Sequence, residues 1–284
     1  MIIMKKTFVF ILLVALMSMG FNAKIEAQSN ILDNIYVKEH TANRRPIPYP
    51  SIREADIMWS KRVWRIIDLR EKMNVPLYYP TTKMDDRFSL IDLFLHGIQE
   101  EGLTAYSTRD DEFKVPMGIA EVLESMGASK DTTEIFNPAT ERMETRIIEN
   151  DVRSDEVKQL LVKEVWFFDR NYSRLDVRII GICPIREYVN NEGMVSKRQT
   201  FWINYDEARP LMARNEVFSS GNDAQRRSFD DLFIKRFFGS YIVKESNAYN
   251  NRGIETYAVG INAMLESNRI RNEIFQFEHD LWEF

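Results

Sequence analysis

The sequence predicts an α+β fold with N-terminal helices, a central antiparallel β-meander and C-terminal helices. Apolar residues recur every three or four positions in the first and last parts of the chain, as in amphipathic helices. Between these parts, β-branched and aromatic residues form short runs separated by turn-forming residues. With 29% charged and 44% hydrophobic residues, the composition is typical of a folded domain.

Residues 1–27 are predicted to be a secretory signal peptide. Two lysines precede an apolar core at 7–19, which is too short to cross a membrane comfortably. Cleavage after Ala27 is the preferred interpretation, cleavage after Ala23 is an alternative, and an uncleaved anchor is a third. We therefore expect export, and a bacterial periplasm is the favoured compartment.

The single cysteine, Cys183, lies deep in the chain, so the protein forms no internal disulfide and has no cysteine after the signal for a lipid anchor. We expect Cys183 to be a buried core thiol. The net charge of −5 argues against nucleic acid as a partner, because phosphate binding needs a basic face.

Residues 28–50 are predicted to be either an extended arm or a disordered leader. Prolines at alternate positions 46, 48 and 50 favour extended geometry. The α+β domain then covers 51–284, and a subdivision near 130–155 is left open.

Helical spacing predicts six helices after the arm. The first begins at the capping residue Ser51 and carries apolar residues such as Val63 and Ile67 at helical intervals. The predicted helices span 53–73, 89–99, 116–127, 206–217, 224–238 and 263–277.

Three strands are predicted in the middle of the chain, and turns at 169–174 and 190–193 join them into a meander. The predicted strands are 162–168, 175–184 and 194–205.

No catalytic residue, cofactor site or metal site is predicted. The three histidines lie far apart in sequence, and none has another histidine or a cysteine at ligand spacing. The eleven glycines are scattered singly, so no glycine-rich phosphate loop is present. We therefore predict a non-enzymatic protein.

Trp59 and Trp64 stand out in the first predicted helix. Five residues apart, they would lie about 140° from each other around the helix axis. Either one of them faces the core and the other a second surface, or one wide buried face takes both. Since tryptophan and arginine are enriched at interface anchors, we predict an interface formed by residues of the arm, this helix and the aromatic C-terminus: Arg44, Arg45, Pro46, Pro48, Tyr49, Trp59, Arg62, Trp64, Arg65, Trp282 and Phe284.

The same region reads IREADIMWSKRVWRIIDLREKMN at 52–74, followed by PLYYP at 76–80. These residues resemble the GldN/PorN family of gliding-motility and type IX secretion proteins of Bacteroidota. The resemblance continues through 86–90, 165–169, 178–184, 201–205, 208–211 and 277–282, and so covers most of the chain beyond the signal.

The resemblance implies a role rather than an active site. Members of the family are periplasmic and bind an outer-membrane lipoprotein of the GldK/PorK type, with which they form large rings at the periplasmic face of the outer membrane. They also contact the periplasmic part of a GldM/PorM-type motor protein. We therefore expect a structural subunit of the secretion and gliding machinery.

Two other functions are weighed against this one. A periplasmic hydrolase could assemble its site from carboxylates such as Asp169 with Glu187 or Asp206. A peptide- or small-molecule-binding module could use Trp202 and Tyr205 to line a groove, unless these residues are buried in the sheet core.

Overall fold

The first long element of the chain is a β-strand, so the helix predicted over 53–73 is wrong. In the computed structural model, Ile57–Asp68 forms strand β1, which pairs on both sides. Both of its faces are covered over its second half, and Val63, Trp64 and Arg65 are all buried. This continuous burial removes the alternation that normally indicates a strand.

The structure describes residues 43–84, 87–137, 142–150, 152–190, 192–219, 222 and 224–281, with the backbone alone for 129–150. The predicted signal peptide and the first part of the predicted arm lie outside the described residues. In chain order, the remaining strands are β2 (Ala105–Tyr106), β3 (Pro116–Met117), β4 (Ser129–Asn137), β5 (Arg142–Asn150), β6 (Val157–Asp169), β7 (Arg174–Val189), β8 (Val195–Gln199), β9 (Trp202–Asn204), β10 (Glu216–Val217), β11 (Arg227–Ser228) and β12 (Tyr241–Glu245). The helices are α1 (Val75–Tyr78), α2 (Leu90–Glu100), α3 (Ile119–Ser125), α4 (Tyr205–Arg214), α5 (Phe229–Ile234) and α6 (Ile261–Asp280).

An antiparallel sheet organises the described part of the chain, and the predicted α+β class is confirmed. Its strand order is β12-β1-β6-β7-β9-β2-β3, with β8 also paired to β7. The predicted meander corresponds to β6, β7, β8 and β9, because the third predicted strand is interrupted at Thr200 and Phe201. The 16-residue strand β7 pairs with β6 along one side and with β8 and β9 on the other.

The sheet has apolar clusters on both faces. Helices α2, α4 and α5 contribute to the largest cluster, in which Phe94, Tyr205 and Phe229 are fully buried. Helix α6 contributes Ile270 and Ile274 to a second cluster, which includes Val63. Neighbouring residues of a strand point to opposite faces, so Trp64 belongs to a third cluster on the other face, with Leu161, Cys183, Ile185 and Trp202.

Strands β4 and β5 form a hairpin that belongs to no larger sheet among the described residues. Nine pairs join them, from Ser129↔Asn150 to Asn137↔Arg142. The hairpin falls in the range 130–155, where the sequence left a subdivision open.

The other predicted helices are present with shifted ends. Ser89 caps α2 by accepting a hydrogen bond from the Asp92 N–H. The helix predicted over 224–238 is shorter because Arg227 and Ser228 form β11, and α5 begins only at Phe229.

Candidate protein-interaction surfaces

The described end of the arm, residues 43–50, lies on the chain's own domain. The Tyr49 ring lies within 4.1 Å of the Arg209 guanidinium carbon and 4.6 Å of the Arg178 one. Arg178 Nη2 donates to the Pro50 carbonyl at 2.6 Å, and Arg209 Nη2 donates to the carbonyl of residue 47. We call this arrangement the arm site.

A buried ion pair holds the arm site in place. Arg209 Nε lies 3.1 Å from the Asp230 carboxylate, which also accepts a hydrogen bond from the Tyr205 hydroxyl at 3.0 Å. Burial alone would lower the pKa of Arg209, but the hydrogen bond and the charge of Asp230, together with Tyr49 and Tyr205, raise it. Burial, together with the Asp230 charge, raises the pKa of Tyr205. Arg209 is therefore a fixed cation beneath the Tyr49 ring.

A second ion pair fastens the arm further upstream. Arg44 Nη2 lies 2.6 Å from the Asp231 carboxylate, which also accepts a hydrogen bond from the N–H of Ser228, the N-cap residue of α5. Burial would raise the pKa of Asp231, but the Ser228 N–H and the Arg44 charge lower it. Among the predicted arm residues, Arg45 and Pro48 are exposed and Pro46 is half-buried.

Trp59 and Trp64 lie on opposite faces of β1, because they are an odd number of residues apart in a strand. The half-buried Trp59 stacks on Phe277 of α6, with ring centroids 4.5 Å apart. Trp64 is only 3% exposed and lies beneath the ammonium groups of Lys244 and Lys163, at 4.3 and 5.7 Å. The surface that each tryptophan meets is thus part of the same chain.

Arg65 is buried, and its charge is paired with a carboxylate of the same chain. Its Nε lies 3.0 Å from the fully buried Glu164, which also pairs with Arg236 at 2.9 Å. Trp166 donates its Nε1–H to the same carboxylate at 3.1 Å. Of the arginines predicted at the interface on β1, Arg62 is therefore the exposed one. Trp282 and Phe284 lie outside the described residues.

An exposed apolar face on α6 was not predicted from the sequence. Ile261, Met264 and Leu265 follow each other at helical spacing and are 76%, 67% and 61% exposed, and Phe275 further along is 69% exposed. The sequence predicts a helix here, but the face that packs on the sheet is identified only by the burial of Ile270 and Ile274. We call the four exposed residues the α6 face.

Within the described residues, no group of three or more His, Cys, Asp or Glu side chains is placed to hold a metal ion. Asp169 accepts hydrogen bonds from the N–H groups of the turn that follows it, and Glu187 pairs with Lys197. Cys183 is buried, as predicted, and burial raises the pKa of its thiol, which disfavours the nucleophilic thiolate.

The two aromatic residues considered for a binding groove, Trp202 and Tyr205, do not line a surface groove. Trp202 is 1% exposed and Tyr205 is fully buried, so both belong to the core. Among the described residues, no helix combines the length and the apolar character needed to cross a membrane.

Comparison with known proteins agrees with the resemblance seen in the sequence. No curated protein matches the chain. A family model described as gliding motility associated protein GldN matches residues 52–283, from just before β1 to just beyond α6. The chain therefore belongs to the GldN family of gliding motility associated proteins, which are components of the type IX secretion and gliding machinery.

Proposed function

We propose that the protein is a non-enzymatic, structural subunit of a periplasmic ring in this machinery. In this proposal it binds an outer-membrane lipoprotein of the GldK/PorK type and contacts the periplasmic part of a GldM/PorM-type motor protein. The lipoprotein keeps it at the periplasmic face of the outer membrane. The observation that carries the proposal is the family match over 52–283.

The exposed α6 face supports a role in assembly. Large apolar side chains at this density on one helix are typical of a protein-binding surface rather than of solvent-facing residues. Trp282 and Phe284 follow α6 directly in sequence. We propose that the lipoprotein binds here.

The arm is proposed to contribute a second contact. Its docked end presents Arg45 and Pro48 to solvent, and Arg62 of β1 is also exposed. Trp64 and Arg65 would act from within, by keeping β1 rigid beneath that surface.

Co-purification with the candidate lipoprotein, followed by sizing and negative-stain imaging, tests the function. The mature chain should give a high-mass complex with ring-shaped particles. Met264→Ser with Leu265→Ser should abolish the complex, whereas the control Asn272→Ser, at an exposed polar position of the same helix, should not. A mature chain that never binds the lipoprotein would refute the proposal.

Two truncations test the arm. Deleting residues 28–42 leaves the docked end in place, whereas deleting 28–50 removes it together with the Tyr49 contacts. If the arm contacts a partner, deletion of residues 28–50 should reduce complex formation, whether or not deletion of 28–42 does so. Complexes that form equally well without residues 28–50 would exclude the arm from the interface.

A further inference from the structure

Strand β8 has an unpaired edge. Asn190 N–H donates to the Met194 carbonyl at 2.9 Å, and Thr200 N–H donates to the Pro184 carbonyl at 3.0 Å, at the two ends of the β7–β8 pairing. In an antiparallel pair, hydrogen-bonded and non-hydrogen-bonded residues alternate. The register between those ends therefore directs the main-chain N–H and C=O groups of alternate β8 residues away from β7: Val195, Lys197 and Gln199.

This edge is accessible. Within the described part of the chain, β8 pairs with β7 alone. Val195 is 68% exposed, and Lys197, Arg198 and Gln199 are exposed as well. An open strand edge presents main-chain N–H and C=O groups with which a strand of another chain can pair.

The β4–β5 hairpin also has unpaired strand edges. Its two strands pair with each other and with no other described strand. A two-stranded hairpin on its own is marginally stable in water, and a third strand stabilises it. The outer edge of β4 is long enough for this purpose, since β4 has nine residues and β8 has five.

The strand sequences favour β4 rather than β5 as the partner of β8. Strand β8 reads VSKRQ and carries two cations and no anion. Strand β4 reads SKDTTEIFN and carries two anions and one cation, whereas the charges of β5, which reads RMETRIIEN, cancel. Opposite charges on facing strands stabilise the pairing.

We infer that copies of this chain join head to tail, the β4 edge of one copy adding to the β8 edge of the next. The inference rests on the proposed ring function and specifies its subunit contact. Because the two surfaces differ, the contact is heterologous and repeats around a ring when the rotation between copies closes. Each copy offers one donor hairpin and one acceptor edge.

Size measurement of the mature chain and two single-site variants tests the acceptor edge. Lys197→Pro removes an outward N–H without breaking a bond to β7, whereas the control Lys197→Ala removes the same side chain and keeps the N–H. We expect the wild type to form oligomers, Lys197→Ala to form them with weaker association because one of the two β8 cations is lost, and Lys197→Pro to remain monomeric. Gln199→Pro removes another outward N–H of the same edge and should also be monomeric. Agreement between the two proline variants would show that the result does not come from misfolding of one of them.

A shortened variant tests the donor. Replacing residues 131–148 by Asn-Gly keeps the Lys130↔Glu149 pair and closes it with a two-residue turn. This variant should be monomeric on its own. Mixed with Lys197→Pro, it should form a one-to-one dimer that grows no further, because only one donor and one acceptor remain.

Three results would overturn the inference: a wild type that is monomeric at every concentration, equal behaviour of Lys197→Pro and Lys197→Ala, or no dimer in the mixture. Co-purification with the lipoprotein separates this outcome from the proposed function. Lys197→Pro should still bind the lipoprotein while losing the high-mass assembly. A wild type that oligomerises through β8 but does not bind the lipoprotein would refute the function and leave the inference standing.

Discussion

Trp59 of β1 stacks on Phe277 of α6, with ring centroids 4.5 Å apart and ring planes inclined by 23°. Helix α6 buries few residues, chiefly Ile270 and Ile274, so this stack is a large part of its attachment to the sheet. The strength of the attachment can be measured separately from any partner.

Phe277→Ala should destabilise the chain by about 2 kcal/mol, because it removes the ring stack and part of the apolar contact beneath α6. Urea unfolding followed by tryptophan fluorescence measures the free energy. Phe275→Ala is the matched control: Phe275 is 69% exposed on the same helix, and its loss should cost no more than about 0.5 kcal/mol. Equal losses in the two variants would contradict the described packing.

Glu164→Gln should be more damaging, at about 3 kcal/mol, because it leaves Arg65 and Arg236 without their shared buried counter-charge. Thermal and urea unfolding measure the loss. Glu273→Gln removes an exposed carboxylate that pairs with Arg269, and it should cost less than about 1 kcal/mol. A tolerated Glu164→Gln would show that the buried cluster does not depend on the carboxylate charge.

Asp68 should make the stability depend on pH. Its side-chain hydrogen bond with Arg70 lowers the pKa of this carboxyl to about 2. A carboxyl whose folded-state pKa lies below its unfolded value stabilises the fold above the unfolded value of 3.8, and the contribution disappears as the pH falls towards 2. Because Arg70 is more than half exposed, solvent screening limits this contribution to about 1–2 kcal/mol near neutral pH.

The free energy of unfolding of the wild type and of Asp68→Asn, measured from about pH 7 to pH 3, checks this contribution. The difference between the two proteins should shrink as the pH falls. A difference that is constant over the whole range would mean that the ionised carboxylate contributes nothing.

Gly181→Ala should loosen the loop at 107–115. A Cβ atom at position 181 would lie 2.4 Å from Cζ of Phe113, whose ring packs edge-on against Trp202 at 5.8 Å. Relieving this overlap should cost about 1–3 kcal/mol and should make the loop more sensitive to protease. A Cβ atom at Gly118 meets nothing within 4 Å, so Gly118→Ala should change the loop little.

The strands and helices that follow local patterns could be predicted from the sequence, and those that depend on distant residues could not. Helix α2 has a capping serine and helical apolar spacing, and its predicted bounds were accurate to one residue. The sequence predicts a helix in place of strand β1, because Val63, Ile66 and Ile67 fit both spacings when both faces of a strand are covered. Its neighbour β12 lies about 175 residues away in sequence and was not predicted.

The same reason limited the prediction of the interaction surfaces. The sequence leaves open whether Trp59 and Trp64 lie on different sides of a helix or share one wide buried face, and the strand places them on opposite faces. That Trp64 lies beneath two lysines from β6 and β12 depends on strand pairing, which no local pattern indicates. The exposed and buried sides of α6 likewise depend on which residues meet the sheet.

Only residues 51–56 separate the arm from β1, so a force on the arm is transmitted to this strand. Strand β1 is held by β6 along its length and by β12 over residues 63–66. A pull on the arm would first break the Arg44–Asp231 ion pair, would then separate Tyr49 from its two arginines, and would finally load β1 along its own axis. Both ladders would resist such a load in shear, with many hydrogen bonds sharing the force, rather than opening one bond at a time. The strand that anchors the arm is thus suited to carry tension applied through the arm.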